Sequence, residues 1–243
     1  MESALFLGVA LLLGHTVKGI TGFGSRLVAI PLLSFLLSPV EAIALCTVSD
    51  LCTGGYLFVG VRHLVRWPVV MGMLLTALVG QACGLYLQQV LEPDVVRFLI
   101  AILVLFFALR LKPQPLDNAL HTTHMKRMGG LAGFGSGAMG GLVGASGPPA
   151  VFFMNRYFGK EEGRAQLLAF FLLTSTTLTI ALFQQEMVGV DLLRHLPVAI
   201  GASLVGAHVG SLLMPRIPIP LFTRGVSVLL IATSVTMMVN TLF

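Results

Sequence analysis

Polar residues in this chain come as short clusters that punctuate long apolar runs, and the runs follow the same order twice. The first half gives apolar pieces at 4–17, 27–37, 42–61, 67–87 and 95–111, and the second gives pieces at 128–143, 150–158, 166–183, 193–213 and 221–242. As helices, the last three pieces of each half suit a hydrocarbon layer about 30 Å thick, whereas the first two are too short to cross it upright. Between those short pieces lie Gly19-Ile20-Thr21-Gly22-Phe23-Gly24-Ser25-Arg26 and Gly140-Gly141-Leu142-Val143-Gly144-Ala145-Ser146-Gly147-Pro148-Pro149. Glycine weakens a helix, and the two prolines remove two backbone donors and push Gly147 out of the α region, so a helix break is expected in each stretch. A break at membrane depth exposes backbone groups that lipid cannot satisfy, so it must be buried in protein or line a wet cavity. The two breaks are therefore the expected substrate site.

Individual residues repeat along with the runs. Gly80-x-x-x-Gly84 in the fourth piece answers Gly206-x-x-x-Gly210 in the ninth, and Pro93-x-x-x-Arg97 answers Pro220-x-x-x-Arg224. The glycine pairs predict close helix packing. The expected organisation is a first membrane repeat at 1–111, a polar linker at 112–127 and a second membrane repeat at 128–243. The fold class that follows is an all-α polytopic membrane protein. It has two inverted repeats, each a broken or re-entrant helix pair followed by three transmembrane helices, with about eight to ten membrane segments in all.

Composition agrees with that class, since hydrophobic residues make up 56% of the 243 positions and charged ones only 10%. The formal net charge of +5 sits in connections between apolar runs, where it reports topology rather than a nucleic-acid partner. Whether every piece changes side or each broken pair dips in and returns, Arg62, Arg66, Arg110, Lys112, Lys126, Arg127, Arg156, Lys160, Arg164 and Arg216 all fall on one side. Glu41, Glu92, Asp94, Glu186 and Asp191 fall on the other, against Arg194 and the flanking Arg97 and Arg224. The basic side is expected in the cytoplasm and both termini in the periplasm. Cys46, Cys52 and Cys83 lie inside apolar pieces without a CxxC or a histidine cluster, so neither a disulfide, a metal nor a cofactor is expected.

Free N–H groups at a half-helix start carry partial positive charge, which favours a small anion as substrate. The candidate binding residues are Gly22, Gly24, Gly144 and Gly147, which permit close backbone approach, with the hydroxyls of Thr21, Ser25 and Ser146. Lys18 and Arg26 bracket the first break, where they either supply full positive charge or snorkel to an interface. Asp50 lies near the middle of the 42–61 piece, where an isolated carboxylate costs at least ~2.5 kcal/mol and marks a proton-coupling residue or a structural carboxylate bonded to Ser49 or Thr53. At the comparable depth of the second half, Thr174-Ser175-Thr176-Thr177 offers hydroxyls that bond back to their own helix. Gln166 and His208 are expected to serve packing.

Two glycine-rich half-motifs also carry a family likeness. Gly19-x-x-Gly22-Phe23-Gly24 before Pro31-Leu32-Leu33, and Gly141-Leu142-Val143-Gly144-Ala145-Ser146-Gly147-Pro148-Pro149 before Tyr157-Phe158-Gly159-Lys160, resemble those of the TauE/SafE family of sulfite and organosulfonate exporters. The resemblance spans essentially the whole chain. It implies a multi-pass permease of the bacterial inner (cell) membrane that carries a small anion, such as sulfite, an organosulfonate or another small organic acid. In the second half, Ser146-Gly147-Pro148 replaces the glycine triplet of the motif. Expected partners are the anion, the lipid bilayer and protons, with homo-oligomerisation a further expectation and no nucleic acid. A passive anion channel is the alternative. An intramembrane serine protease using Ser146 and His208 is disfavoured by Pro148-Pro149 directly after the serine, and no enzyme is expected.

Overall fold

A computed structural model describes residues 2–33, 36–37, 39–92, 95, 102, 122–144, 146–184, 190–216, 218, 224–225, 228, 231–232 and 235. Among these residues every regular element is a helix. They are α1 Glu2–Thr21, α2 Ser25–Leu33, α3 Pro39–Val61, α4 Trp67–Val90, α5 Thr122–Val143, α6 Gly147–Tyr157, α7 Lys160–Gln184 and α8 Val190–Leu213, with single 3₁₀ turns at Arg62–Leu64 and Met214–Arg216. Stretches in α3, α4, α7 and α8 are long and apolar enough to cross a membrane, and α1 carries a shorter apolar stretch. This is a multi-pass membrane protein. The expected fifth and tenth pieces, at 95–111 and 221–242, lie almost wholly outside the described residues, as does the linker up to residue 121.

Both breaks occur where glycines cluster, but each broken pair has one long arm and one short arm. The expected pieces 4–17 and 27–37 become helices of 20 and 9 residues, and 128–143 and 150–158 become 22 and 11. Lys18, Gly19 and Thr21 still belong to α1, and the chain turns at Gly22 and Gly24, whose φ values are +83° and +88°. In the second half the turn comes at Gly144, with φ +74°. Contrary to expectation, Gly147 starts α6 and both prolines lie within its first turn. Proline is tolerated there because the N–H it lacks has no intrahelical acceptor.

The chain packs as two compact units that do not follow the sequence halves: Met1–His63 with Phe171–Arg216, and Leu64–Phe170 with Ile217–Phe243. The first unit holds α1, α2, α3, the later part of α7 and α8; the second holds α4, α5, α6 and the start of α7. Each is organised around a close parallel helix pair. In the first unit a Cβ added at Gly206 would strike the Leu12 carbonyl, one at Gly210 the Thr16 carbonyl and one at Gly19 the Ala207 carbonyl. In the second, Gly80 meets Phe134, Gly84 meets Ala138, and Gly137 meets Ala77 in the same way. Contact positions rise together along both helices of each pair, so α1 and α8 run parallel, as do α4 and α5. The glycines remove side-chain bulk exactly where backbones touch, which is how helices associate when lipid supplies no hydrophobic drive.

Helical spacing decides what α1 buries. Leu7, Leu11, His15 and Lys18 lie on its inward stripe, while Leu5, Val9 and Leu13 face outward, Leu5 with 72% of its surface exposed. Outward apolar residues such as Leu75, Val79 and Leu131 do the same for α4 and α5. An apolar exterior over buried polar groups suits a lipid environment.

Candidate functional site

Asp50 is the one carboxylate among the described buried residues, and the first break is wrapped around it. Its Oδ1 accepts hydrogen bonds from Ser25 Oγ at 2.6 Å and Lys18 Nζ at 2.7 Å, and its Oδ2 accepts one from Arg26 Nε at 2.6 Å. His15 Nε2 stands 3.3 Å from Oδ1. Lys18 also donates to the Asp50 carbonyl at 2.9 Å and to Thr53 Oγ1 at 3.2 Å, so an ammonium with three donors has three acceptors. Arg26 reaches onward to α7, where its Nη2 donates to Ser175 Oγ at 2.6 Å. All of these groups belong to the first unit, and His15, Lys18, Ser25, Arg26 and Asp50 are each buried.

The chain builds this cluster from simple local causes. His15 and Lys18 are three residues apart on α1 and share its buried face. The turn at Gly22 and Gly24 then starts α2 so that Ser25 and Arg26 stand in its first turn, beside the end of α1. Thr21 holds that turn, accepting the Phe23 N–H at 3.0 Å and donating to the Val17 carbonyl at 2.8 Å, so its hydroxyl serves the backbone. Two full positive charges and a helix start therefore converge on a single negative one, leaving the buried cluster electropositive.

The second break, in the other unit, has different chemistry. Pro148 and Pro149 carry no N–H, and the Ala150 N–H is taken by Ser136 Oγ at 2.9 Å, which leaves Gly147 as the one other donor in the first turn of α6. Ser146 sits at the helix start without a side-chain capping bond, and Gly144 N–H closes the end of α5 on the Gly140 carbonyl at 2.9 Å. Gly144, Ser146 and Gly147 thus come together as a buried turn. Lys18 and Arg26, the buried cations among the described residues, both belong to the first break.

The remaining polar residues sort by what they touch. Thr176 and Thr177 bond back to the Leu172 and Thr174 carbonyls, whereas Ser175 is the member of its cluster that reaches Arg26. Gln166 staples the connection before α4, donating to the Leu64 carbonyl and accepting the Arg66 N–H, both at 2.9 Å. His208 Nδ1 is 2.6 Å from the Tyr56 hydroxyl in the first unit, while Ser146 belongs to the second. His15 was missed by sequence reasoning, although a histidine three residues before a lysine inside an apolar helix was a legible signal.

The description of the sulfite exporter TauE/SafE family matches residues 6–237. Neither the curated proteins nor the solved structures contain a match to this chain.

Proposed function

The chain belongs to the sulfite exporter TauE/SafE family, and from that premise we propose that it is a proton-coupled permease for a small oxyanion, working by alternating access in a bacterial inner membrane. Sulfite, organosulfonates and small organic acids are the substrate class. The observation that carries this reading is the buried pair of cations, Lys18 and Arg26, set against one carboxylate at a helix start. An electropositive site shielded from water attracts an anion far more strongly than the same charges at a surface. In this reading Lys18, Ser25 and Arg26 bind the substrate, Thr21, Gly22 and Gly24 shape the turn, and Asp50 carries the coupled proton. Gly144, Ser146 and Gly147 form the corresponding turn of the second repeat. The recurring parallel pairs, α1 with α8 and α4 with α5, support an inverted duplication.

Reconstitution into proteoliposomes tests the function directly. Labelled sulfite, methanesulfonate and acetate are offered with and without an imposed pH gradient. The expected result is accumulation of at least one of them above equilibrium when a gradient is present, and equilibration without it. Flux that never exceeds equilibrium and passes chloride equally well would identify a passive channel instead.

A further inference from the structure

The first break already holds an anion, and that anion is part of the protein. Ser25 and Lys18 grip one oxygen of the Asp50 carboxylate and Arg26 grips the other, at 2.6 to 2.7 Å. No donor on Lys18 is left for a substrate while Asp50 and Thr53 take all three. Beside this grip stands a polar atom without a hydrogen bond. His15 Nδ1 lies 2.9 Å from the Leu11 carbonyl, which can only accept, so Nδ1 carries the ring proton of neutral His15. Nε2 is then a bare lone pair, buried and without a hydrogen bond, 3.3 Å from an Asp50 oxygen that is also an acceptor. Two acceptors facing each other at that distance leave a place for one proton.

We propose that Asp50 is a resident counter-ion which the substrate oxyanion displaces, and that one proton taken up between His15 Nε2 and Asp50 Oδ1 accompanies each displacement. The proposal rests on the anion-permease reading and adds its ligand geometry and its coupling step. With Lys18 and Arg26 positive and Asp50 negative, the cluster carries one net positive charge. The incoming proton raises it to two, whether it resides on the imidazole or the carboxyl, and a bound monoanion returns it to one. No bond other than that to the proton is made or broken. The ligand must imitate what it replaces, with two oxygens on one central atom, one for Lys18 and Ser25 and one for Arg26. Sulfite, sulfonates and carboxylates have that fork; a halide does not.

The other groups facing Asp50 leave the proton with this pair. His15 and Lys18 face it from α1 and Arg26 from α2, and Cys46 and Cys52 stand on its own helix. From α7 the Ser175 hydroxyl accepts from Arg26, and from α8 His208 engages Tyr56, farther along α3.

The test uses purified full-length protein in weak buffer, with methanesulfonate as the probe because it does not itself titrate near neutrality. Equilibrium dialysis gives the amount bound and a pH indicator gives the protons taken up. About one proton per methanesulfonate is expected at pH 8, with affinity weakening about tenfold per pH unit wherever one proton is taken up on binding, since binding and protonation must favour each other reciprocally. Asp50→Asn, which removes the competing charge, is expected to bind at least about tenfold more tightly than wild type at pH 8 and to lose the pH slope. Chloride at equal concentration is expected not to compete. Binding without proton uptake, a wild-type pH slope in Asp50→Asn, or equal competition by chloride would each overturn the proposal. The proton count uses the wild-type chain, so it decides even where Asp50→Asn does not fold. Oxyanion transport without proton uptake on binding sinks this inference alone, while the absence of both transport and binding for methanesulfonate, sulfite and acetate sinks the permease reading with it.

Discussion

At the scale of single residues, the cluster around Asp50 behaves as one unit, because each member is buried and compensates another. Removing one partner of a buried ion pair leaves an uncompensated charge and costs about 3–5 kcal/mol. Asp50→Ala strands both Lys18 and Arg26 and is expected to lose about that much stability in a denaturation series in bicelles. Ser25→Ala removes one hydrogen bond to a charged acceptor and is expected to cost about 1.5–3 kcal/mol. Equal losses in the two variants would show that the charges do not depend on Asp50. Part of this chemistry was legible in the sequence. A carboxylate in the middle of an apolar run, and two cations beside a glycine-rich break, are each expensive enough to be noticed. Their pairing was not legible, since Asp50 is 32 positions from Lys18 and 24 from Arg26, and no local pattern reports contacts at that range. The same limit left snorkelling and burial equally open for Lys18, and left Ser49 and Thr53 as the expected partners of Asp50. Thr53 does join the cluster, accepting from Lys18 and lying 3.4 Å from the Asp50 carbonyl rather than bonding its carboxylate.

At the scale of helices, glycine does two separate jobs. At Gly24 it allows the left-handed turn between α1 and α2, with φ +88°, and any residue with a Cβ is strained there by about 1–2 kcal/mol. Gly24→Val is therefore expected to disturb the placement of Ser25 and Arg26 and to abolish anion binding while membrane insertion persists. Normal affinity in that variant would separate the turn from the site. At Gly80 and Gly206 glycine instead permits contact between parallel backbones. Gly80→Val is expected to push α4 off α5 and to lower the thermal stability of the purified protein, by an amount in the range of about 1–3 kcal/mol for overpacking. Gly55→Ala, where an added Cβ meets nothing within 4 Å, is expected to leave stability unchanged or slightly raised. Equal melting of Gly80→Val and wild type would contradict the close pairing. The glycine pairs were visible as a repeated spacing, but which helix each pair meets was not, because either partner satisfies the same spacing. The prolines were misplaced for a related reason: Pro148-Pro149 marks a helix boundary equally well from either side, and only the backbone shows that they open α6.

At the scale of the whole molecule, topology joins the charge pattern to the helix pairs. If the basic connections face the cytoplasm, α4 starts there and runs outward, and so does α5, which begins within the 112–127 stretch; α1 and α8 both start on the opposite side. The topology therefore requires each of these pairs to be parallel, and both are, as the rising glycine contacts along them record. Within the second unit, Arg66 before α4 lies 3.3 Å from Glu162 in the first turn of α7, as expected if those two connections share one membrane face. Single cysteines at Ser3 and Asn118, introduced after Cys46, Cys52 and Cys83 are replaced, test the arrangement in intact cells with a membrane-impermeant maleimide. Ser3→Cys is expected to react from outside, and Asn118→Cys only after the membrane is opened. If each half has an odd number of segments, the second half enters the membrane upside down and the two positions differ in access. Reaction of Asn118→Cys from outside would place the linker in the periplasm and remove the inverted duplication, whereas reaction of neither would move the amino terminus to the cytoplasm and leave the first half with an even number of crossings.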